Sequence, residues 1–369
     1  MSRGETVIEH KGATSQRIGL HDIAKALGVS VATVSRVLNG RPDVADGTRA
    51  RVMEYVRERE YSDARSAHRQ PSHSLGLIGV TVPRMRGGYF SEILAGITRA
   101  LEERGARPLI SETSRDQGRG EEPYNQEREV NIFKRFAPGT VDGVILVLPS
   151  IRSEQLEALL LRDYPVVVVD PAKDVPKTVP VIVSAHMTGA VEATEHLLAL
   201  GHSRIGVITG PLDEEASRKR LEGYRFSLYK RGLPVDAGLQ FISNFEFRGG
   251  YEATQELLDR SRPTAIFCFN DAMAAGAIRA AWERGLRLPR DLSIVGFDDA
   301  ETAQFVTPAL TTVSQPLVDL GRTAVDTLYR LREGRPPGAA RIELSTHLIV
   351  RDSTAAPNVM AMGASPTGP

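Results

Sequence analysis

Residues 20–39 read Leu-His-Asp-Ile-Ala-Lys-Ala-Leu-Gly-Val-Ser-Val-Ala-Thr-Val-Ser-Arg-Val-Leu-Asn, two short amphipathic segments around a Gly-Val-Ser corner. Ile23, Ala24 and Leu27 share one face of the first segment; Val34, Val37 and Leu38 share one face of the second. Gly28 can adopt the left-handed backbone that a tight corner needs, Val29 plugs it, and Ser30 can cap the following helix through its hydroxyl. Ala24 is small enough to let the second helix cross close by. The spacing predicts a helix-turn-helix, whose second helix lies in the major groove of DNA.

Outward positions on that second helix are Val31, Ala32, Thr33, Ser35, Arg36 and Asn39. Arg36 can pair with guanine O6 and N7, Val31 and Ala32 offer contact to a thymine methyl, and Thr33, Ser35 and Asn39 can reach phosphates or base edges. A third helix is expected from Asp46 to Glu60, with Val52 and Val56 on its buried edge and with Thr48 and Arg49 placed to meet a phosphate.

Beyond Leu75, apolar β-branched runs alternate with amphipathic stretches. The runs are LGLIGVTV, GVILVL, VVVVD, VIVS, IGVITG, AIFCFN and LSIVGFD. Helical patterns lie at Glu92–Arg104, Ser153–Arg162, Gly189–Leu200, Gly249–Arg260 and Ala272–Arg284. Such runs suit parallel strands covered on both faces, and the alternation is long enough for two doubly wound lobes. Ligands in such sheets bind outside the carboxyl ends of the strands, so the residues just after each run are candidates. They include Tyr89 and Phe90, a loop leading to Arg220, Asn270, and Asp298-Asp299, which together make a polar cleft with aromatic faces.

The segments TVSRVLNG (33–40) and VADGTRARV (44–52), with Tyr61, resemble the lactose-repressor (LacI) family of bacterial regulators. Further matches follow in the family's order: LIGVTVP (77–83), VDGVIL (141–146), LGHSRIGVITGP (200–211), RLEGY (220–224), PTAIFCFND (263–271), VGFDD (295–299) and PALTTV (308–313). The resemblance runs from roughly Ile18 to Ser353. It implies an N-terminal all-α helix-turn-helix domain joined by a hinge to an α/β two-lobed effector domain like the periplasmic binding proteins, with doubly wound parallel sheets. The implied boundaries are a disordered tail at 1–17, the DNA-binding domain at 18–63, the hinge at 64–74 and the effector and dimerisation domain at 75–353. Its N-lobe would be 75–184 with 317–344 and its C-lobe 185–316 with 345–353; residues 354–369 would form a disordered tail. Tyr61 joins the DNA-contacting set by the same resemblance. Effector contacts map to Tyr89, Phe90, Arg220, Phe245, Asn270, Asp298 and Gln315.

The chain departs from the family pattern in three places. Gly87-Gly88 stands where many members carry Asn-Pro. Ser184-Ala185 stands where a ligand-binding Asp often opens a D-N-x-x-G segment, which leaves the effector class open between sugars and nucleobases. In the hinge, where a leucine usually wedges into the minor groove, this chain has Gln70, and Pro71 ends a helix. Either Arg65, His68 and Arg69 read the minor groove instead, or the segment is a linker.

Composition narrows the remaining classes. Net charge is zero, but residues 1–70 hold 12 Lys and Arg against 9 Asp and Glu, leaving 34 against 37 in the rest. The mildly basic head is where phosphate attraction is needed. A single cysteine, Cys268, inside an apolar run reads as a core residue in a reducing, cytoplasmic setting. The N-terminal residues lack the apolar segment of a secretory signal, and no apolar run approaches the length of a membrane span. Catalytic motifs such as GxSxG, HExxH and the Walker loop are missing, and the eight His residues lack ligand spacing, so the expectation is no enzyme, no metal and no cofactor other than a small-molecule effector. A solute-binding protein for transport shares the two-lobed architecture but has no use for the DNA-reading head. One helix-turn-helix reads too few base pairs alone, which predicts a homodimer on double-stranded, pseudo-palindromic operator DNA. The tail after Arg351 has no leucine heptads to build a tetramer. The reading is a repressor of carbohydrate uptake or breakdown genes.

Overall fold

The computed structural model describes residues 20–38, 44–45, 47–55, 74–85, 87–113, 136, 139–149, 156 and 165–358. Expectations for Asn39, Tyr61, Arg65, His68, Arg69, Gln70, Pro71, the segment 1–17 and most of 153–162 lie outside them. The chain divides into two compact units, one within Met1–His73 and one within Ser74–Pro369.

In the first unit, α1 (Leu20–Leu27) and α2 (Val31–Leu38) are followed by a third helix, α3, over 47–55. Gly28 takes φ +67°, and the Val29 amide donates to the Ala24 carbonyl at 3.0 Å, so the corner closes as its residue types dictate. Ser30 Oγ accepts from the Thr33 amide at 3.0 Å and caps α2. Ile23, Ala24, Val34, Val37 and Val52 form the core. Arg51 of α3 donates to the Leu27 carbonyl at 3.1 Å, satisfying an orphan acceptor at the end of α1.

The second unit contains two six-stranded sheets. The first runs β11 (Arg341–Leu344), β5 (Val181–Ser184), β4 (Val166–Val169), β3 (Val144–Val147), β1 (Leu77–Val82) and β2 (Arg107–Glu112), and its pairings are parallel. In the second the order is β12 (His347–Ile349), β10 (Thr311–Ser314), β9 (Ser293–Asp298), β8 (Ala265–Cys268), β6 (Ile205–Thr209) and β7 (Gln240–Ile242); only the edge strand β12 is antiparallel. Every residue of β3, β4, β5, β6, β8 and β9 is buried, which is why these strands read as unbroken apolar runs.

Helices α4 (Gly88–Glu102) and α9 (Leu317–Arg332) cover the first sheet, burying Ile93, Ile97, Leu320, Ala324 and Leu328. They touch backbone to backbone: a Cβ on Gly96 would lie 2.0 Å from the Val318 carbonyl oxygen, and one on Gly321 would lie 2.3 Å from that of Ile93. Around the second sheet are α5 (His186–Ala199), α6 (Glu215–Lys230), α7 (Phe247–Arg260) and α8 (Asp271–Glu283). The chain passes from one sheet layer to the other at Ser184–His186, Ser314–Leu317 and Leu344–His347.

The loop after β6 leads into helix α6, which carries Arg220; the apolar period there is weak because its buried face includes Ser217, Arg220, Gly223 and Ser227. One expectation needs correcting. The chain stays bonded into the segment assigned to the disordered tail, because the Ala355 carbonyl accepts from His202 Nε2 at 2.8 Å and from Ser293 Oγ at 3.1 Å.

Candidate functional site

On α2, Ala32 and Arg36 are exposed, whereas Thr33 and Ser35 are half-buried. Val31 does not stand outward: it packs half-buried against the head core. Thr33 Oγ1 lies 2.8 Å from Ser30 Oγ, so its hydroxyl serves the cap. Thr48 sits half-buried at the start of α3, its amide bonded to the Ala45 carbonyl at 2.9 Å.

The second candidate site lies where strand ends of both sheets meet. Asp170 follows β4 with φ +43°, a left-handed backbone that non-glycine residues seldom take. It is buried and receives the Tyr89 hydroxyl on Oδ2 at 2.6 Å, while Oδ1 lies 3.3 Å from the Ser184 amide and 3.2 Å from His186 Nε2. His186 opens α5. Its other nitrogen, Nδ1, faces Arg220 Nη2 at 3.3 Å. Arg220, also buried, donates through Nη1 to the Phe269 carbonyl, lies with its guanidinium carbon 3.8 Å from the centroid of Phe297 and approaches Asp298 Oδ1 at 3.9 Å. Gln315 Nε2 closes the set by donating to Asp298 Oδ1 at 2.6 Å.

Electrostatics follow from this packing. Burial pushes the Asp170 carboxyl up, but His186, the hydrogen bonds from His186 and Tyr89, and Arg220 outweigh it and hold Asp170 below the usual carboxylate range. Asp298 goes the other way: burial raises it to about 7, although Arg220 and Gln315 oppose the rise. Burial and then the Asp170 carboxylate raise Tyr89. Behind Asp298, Asp271 is raised well above its ordinary value by burial and by the Asp298 charge; its Oδ1 accepts from Thr312 Oγ1 at 2.5 Å and its Oδ2 from the Ala300 amide at 2.8 Å. Asp298 and Asp299 carry φ of +121° and +57°, so strained backbone concentrates where the site needs a fixed aim.

Of the residues expected here, Tyr89, Arg220, Asp298 and Gln315 come together in one hydrogen-bonded set. Phe245, at φ +63°, lies with its ring 5.9 Å from the Arg220 guanidinium carbon. Phe90 is buried in the core of the first sheet, edge-on to Tyr89 with ring centroids 5.1 Å apart. Asn270 is spent on structure: its Oδ1 caps α8 by accepting from the Met273 amide, and its Nδ2 donates to the Phe245 carbonyl, each at 2.9 Å. Asp170 and His186 were not anticipated. The signal for Asp170 was there, since it is the first residue after the VVVV run. His186 had none, because a lone His at a helix start reads as a core or surface residue.

Among the described residues no group of His, Cys, Asp and Glu is placed to hold a metal, and no helix is long and apolar enough to cross a membrane. Cys268 is buried and its thiol is pushed up by burial, which suits a core residue.

A helix-turn-helix in one unit, and in the other a polar cluster between two parallel sheets, define a DNA-binding protein with a ligand-binding body. The chain belongs to the LacI family of bacterial regulatory proteins. The family's DNA-binding model matches residues 19–63, and a periplasmic binding protein-like domain matches residues 194–354. The transcriptional regulator DegA of Bacillus subtilis is 33% identical over 91% of this chain and 97% of its own. The ribose operon repressor of Escherichia coli is also 33% identical, over 90% and 99%. Among solved structures, a complex of the transcriptional regulator CelR with cellobiose covers 91% of this chain and 100% of its own at 31% identity and a TM-score of 0.69. A lac repressor dimer bound to operator and an anti-inducer covers 92% and 100% at 30% identity and a TM-score of 0.67. These relatives are transcriptional regulators.

Proposed function

We propose that this protein is an effector-controlled repressor of genes for carbohydrate uptake or breakdown, which binds a pseudo-palindromic operator as a homodimer and takes its effector between the two sheets of the body. The observation that carries this reading is the buried Arg220–Asp298–Gln315 set at the carboxyl ends of the second sheet's strands. A guanidinium offers only donors and a carboxylate only acceptors, so the set can hold both sides of a ligand hydroxyl. A cellobiose complex among its structural neighbours, and another with bound ribose, support a sugar over a nucleobase. In the head, Arg36 reads bases, with Ala32, Ser35 and Thr48 against base edges and phosphates, while Asn39, Tyr61, Arg65, His68 and Arg69 complete the contacts.

The test starts from an operator selected out of random-sequence DNA by the full-length protein. Fluorescence anisotropy on that fragment should show Arg36→Ala costing roughly 1–3 kcal/mol with little loss on random DNA. Asp298→Ala should remove the response to effector and leave DNA affinity nearly intact. Equal losses on selected and random DNA would remove Arg36 from base reading; an effector response unchanged in both Asp298→Ala and Arg220→Ala would move the ligand elsewhere.

A further inference from the structure

We propose that Asp170 and His186 are specificity-determining residues that set the cleft for an uncharged, hydroxyl-rich ligand, a neutral saccharide, and against its phosphorylated form. The inference rests on reading the cleft as the effector site.

Proton positions follow from the geometry. Asp170 already holds the Tyr89 hydroxyl on one oxygen, and its other oxygen faces His186 Nε2 at 3.2 Å. A carboxylate only accepts, so Nε2 carries the proton, and Nδ1 is then an acceptor facing the donor-only Arg220 Nη2 at 3.3 Å. In that arrangement His186 Nδ1 accepts from Arg220. Nη1 donates to the Phe269 carbonyl and Nη2 faces His186, while Nε is buried and without a partner among the described residues.

Buried acceptors stand beside this donor. Gln315 Oε1 is likewise buried and unpartnered, the Ser184 hydroxyl is unpartnered and able to accept, and Asp298 brings a carboxylate. A ligand that completes Gln315 Oε1 and the Asp298 carboxylate must bring donors to them, which hydroxyls do and the oxygens of a phosphate dianion do not. A phosphate would also add negative charge beside the carboxyl groups of Asp170 and Asp298. Where Ser184-Ala185 provides no carboxylate at the head of α5, Asp170 provides one from β4.

Isothermal titration of the full-length protein with ribose, glucose and cellobiose, with ribose 5-phosphate and glucose 6-phosphate, and with inorganic phosphate tests this. At least one neutral sugar should bind, and its phosphorylated counterpart should bind about 100-fold more weakly or not at all. Asp170→Asn and His186→Ala should each weaken the neutral sugar by roughly tenfold, Asp170→Asn should narrow the gap to the phosphate, and His186→Gln, which restores an amide acceptor and donor, should recover part of the loss. Phosphorylated forms binding as tightly as neutral sugars would overturn the proposal, as would no binding of any neutral sugar, or unchanged selectivity in folded Asp170→Asn and His186→Ala. If either variant fails to fold by circular dichroism, the neutral-to-phosphate ratio of the wild type alone decides. Failure of the cleft assignment itself looks different: a sugar would bind, with affinity unchanged in Arg220→Ala and Asp298→Ala.

Discussion

Glu214 shows how single residues answer to their surroundings in this molecule. It precedes α6, and burial first, then the neighbouring Asp213, raise its carboxyl to about 7 against an ordinary 4.5. A folded value above the unfolded one means that the native state keeps a proton the unfolded chain has lost. Stability therefore falls as pH rises from about 4.5 to about 7, and Glu214 adds no further pH dependence outside that window. Glu214→Gln should remove this dependence, so that the variant gains about 2 kcal/mol on the wild type between pH 5 and pH 8 in urea melts. Equal pH slopes would show that Glu214 is solvated. At this scale the sequence was partly legible: Arg220 and Asp298 stood out as charges in an apolar context, and burying a charge without a partner is costly. The core packing of Phe90 and the cap made by Asn270 were not legible, because residue type does not say whether a ring faces a core or an amide is spent on a cap.

Elements were legible where burial is complete on both faces and obscure where it is not. Strands β3, β4 and β5 announce themselves as VILV, VVVV and VIVS, but the edge strands β2 and β11 alternate in exposure and read as ordinary polar segments. Helix α6 hides for another reason: it crosses α5 on small residues, and a Cβ on Gly223 would come 2.5 Å from the Met187 carbonyl oxygen. The same device joins α4 to α9, where Gly96→Ala drives a methyl into the Val318 backbone. Backbone cannot rotate away, so this substitution should cost about 2 kcal/mol or more and lower the midpoint of a thermal melt. A neutral result would mean that the two helices do not touch there.

At the scale of the whole body, the two sheet layers are tied by Arg84 to Glu246 and by Arg341 to Glu215, and by the Glu215 amide on the Ala172 carbonyl at 3.1 Å. These ion pairs are half-buried or exposed, so each contributes at most about 1 kcal/mol to folding. Their greater effect should be on closure: Arg84→Ala with Arg341→Ala should leave the melting midpoint almost unchanged in the absence of ligand but weaken effector binding several-fold in calorimetry. Effector at 100 times its dissociation constant should stabilise the wild type by about 2.7 kcal/mol. Local spacing alone, 3.6-residue periodicity with a glycine corner in the head and fully buried β-branched runs in the body, determined that this chain has a helix-turn-helix and parallel sheets, because those signals depend only on neighbours along the chain. Only the tertiary structure decided that Asp170 and His186 join Arg220 and Asp298. They come from different strands and helices, and bringing them within hydrogen-bonding reach depends on the chain passing between layers at Ser184–His186 and Ser314–Leu317, which no local pattern encodes.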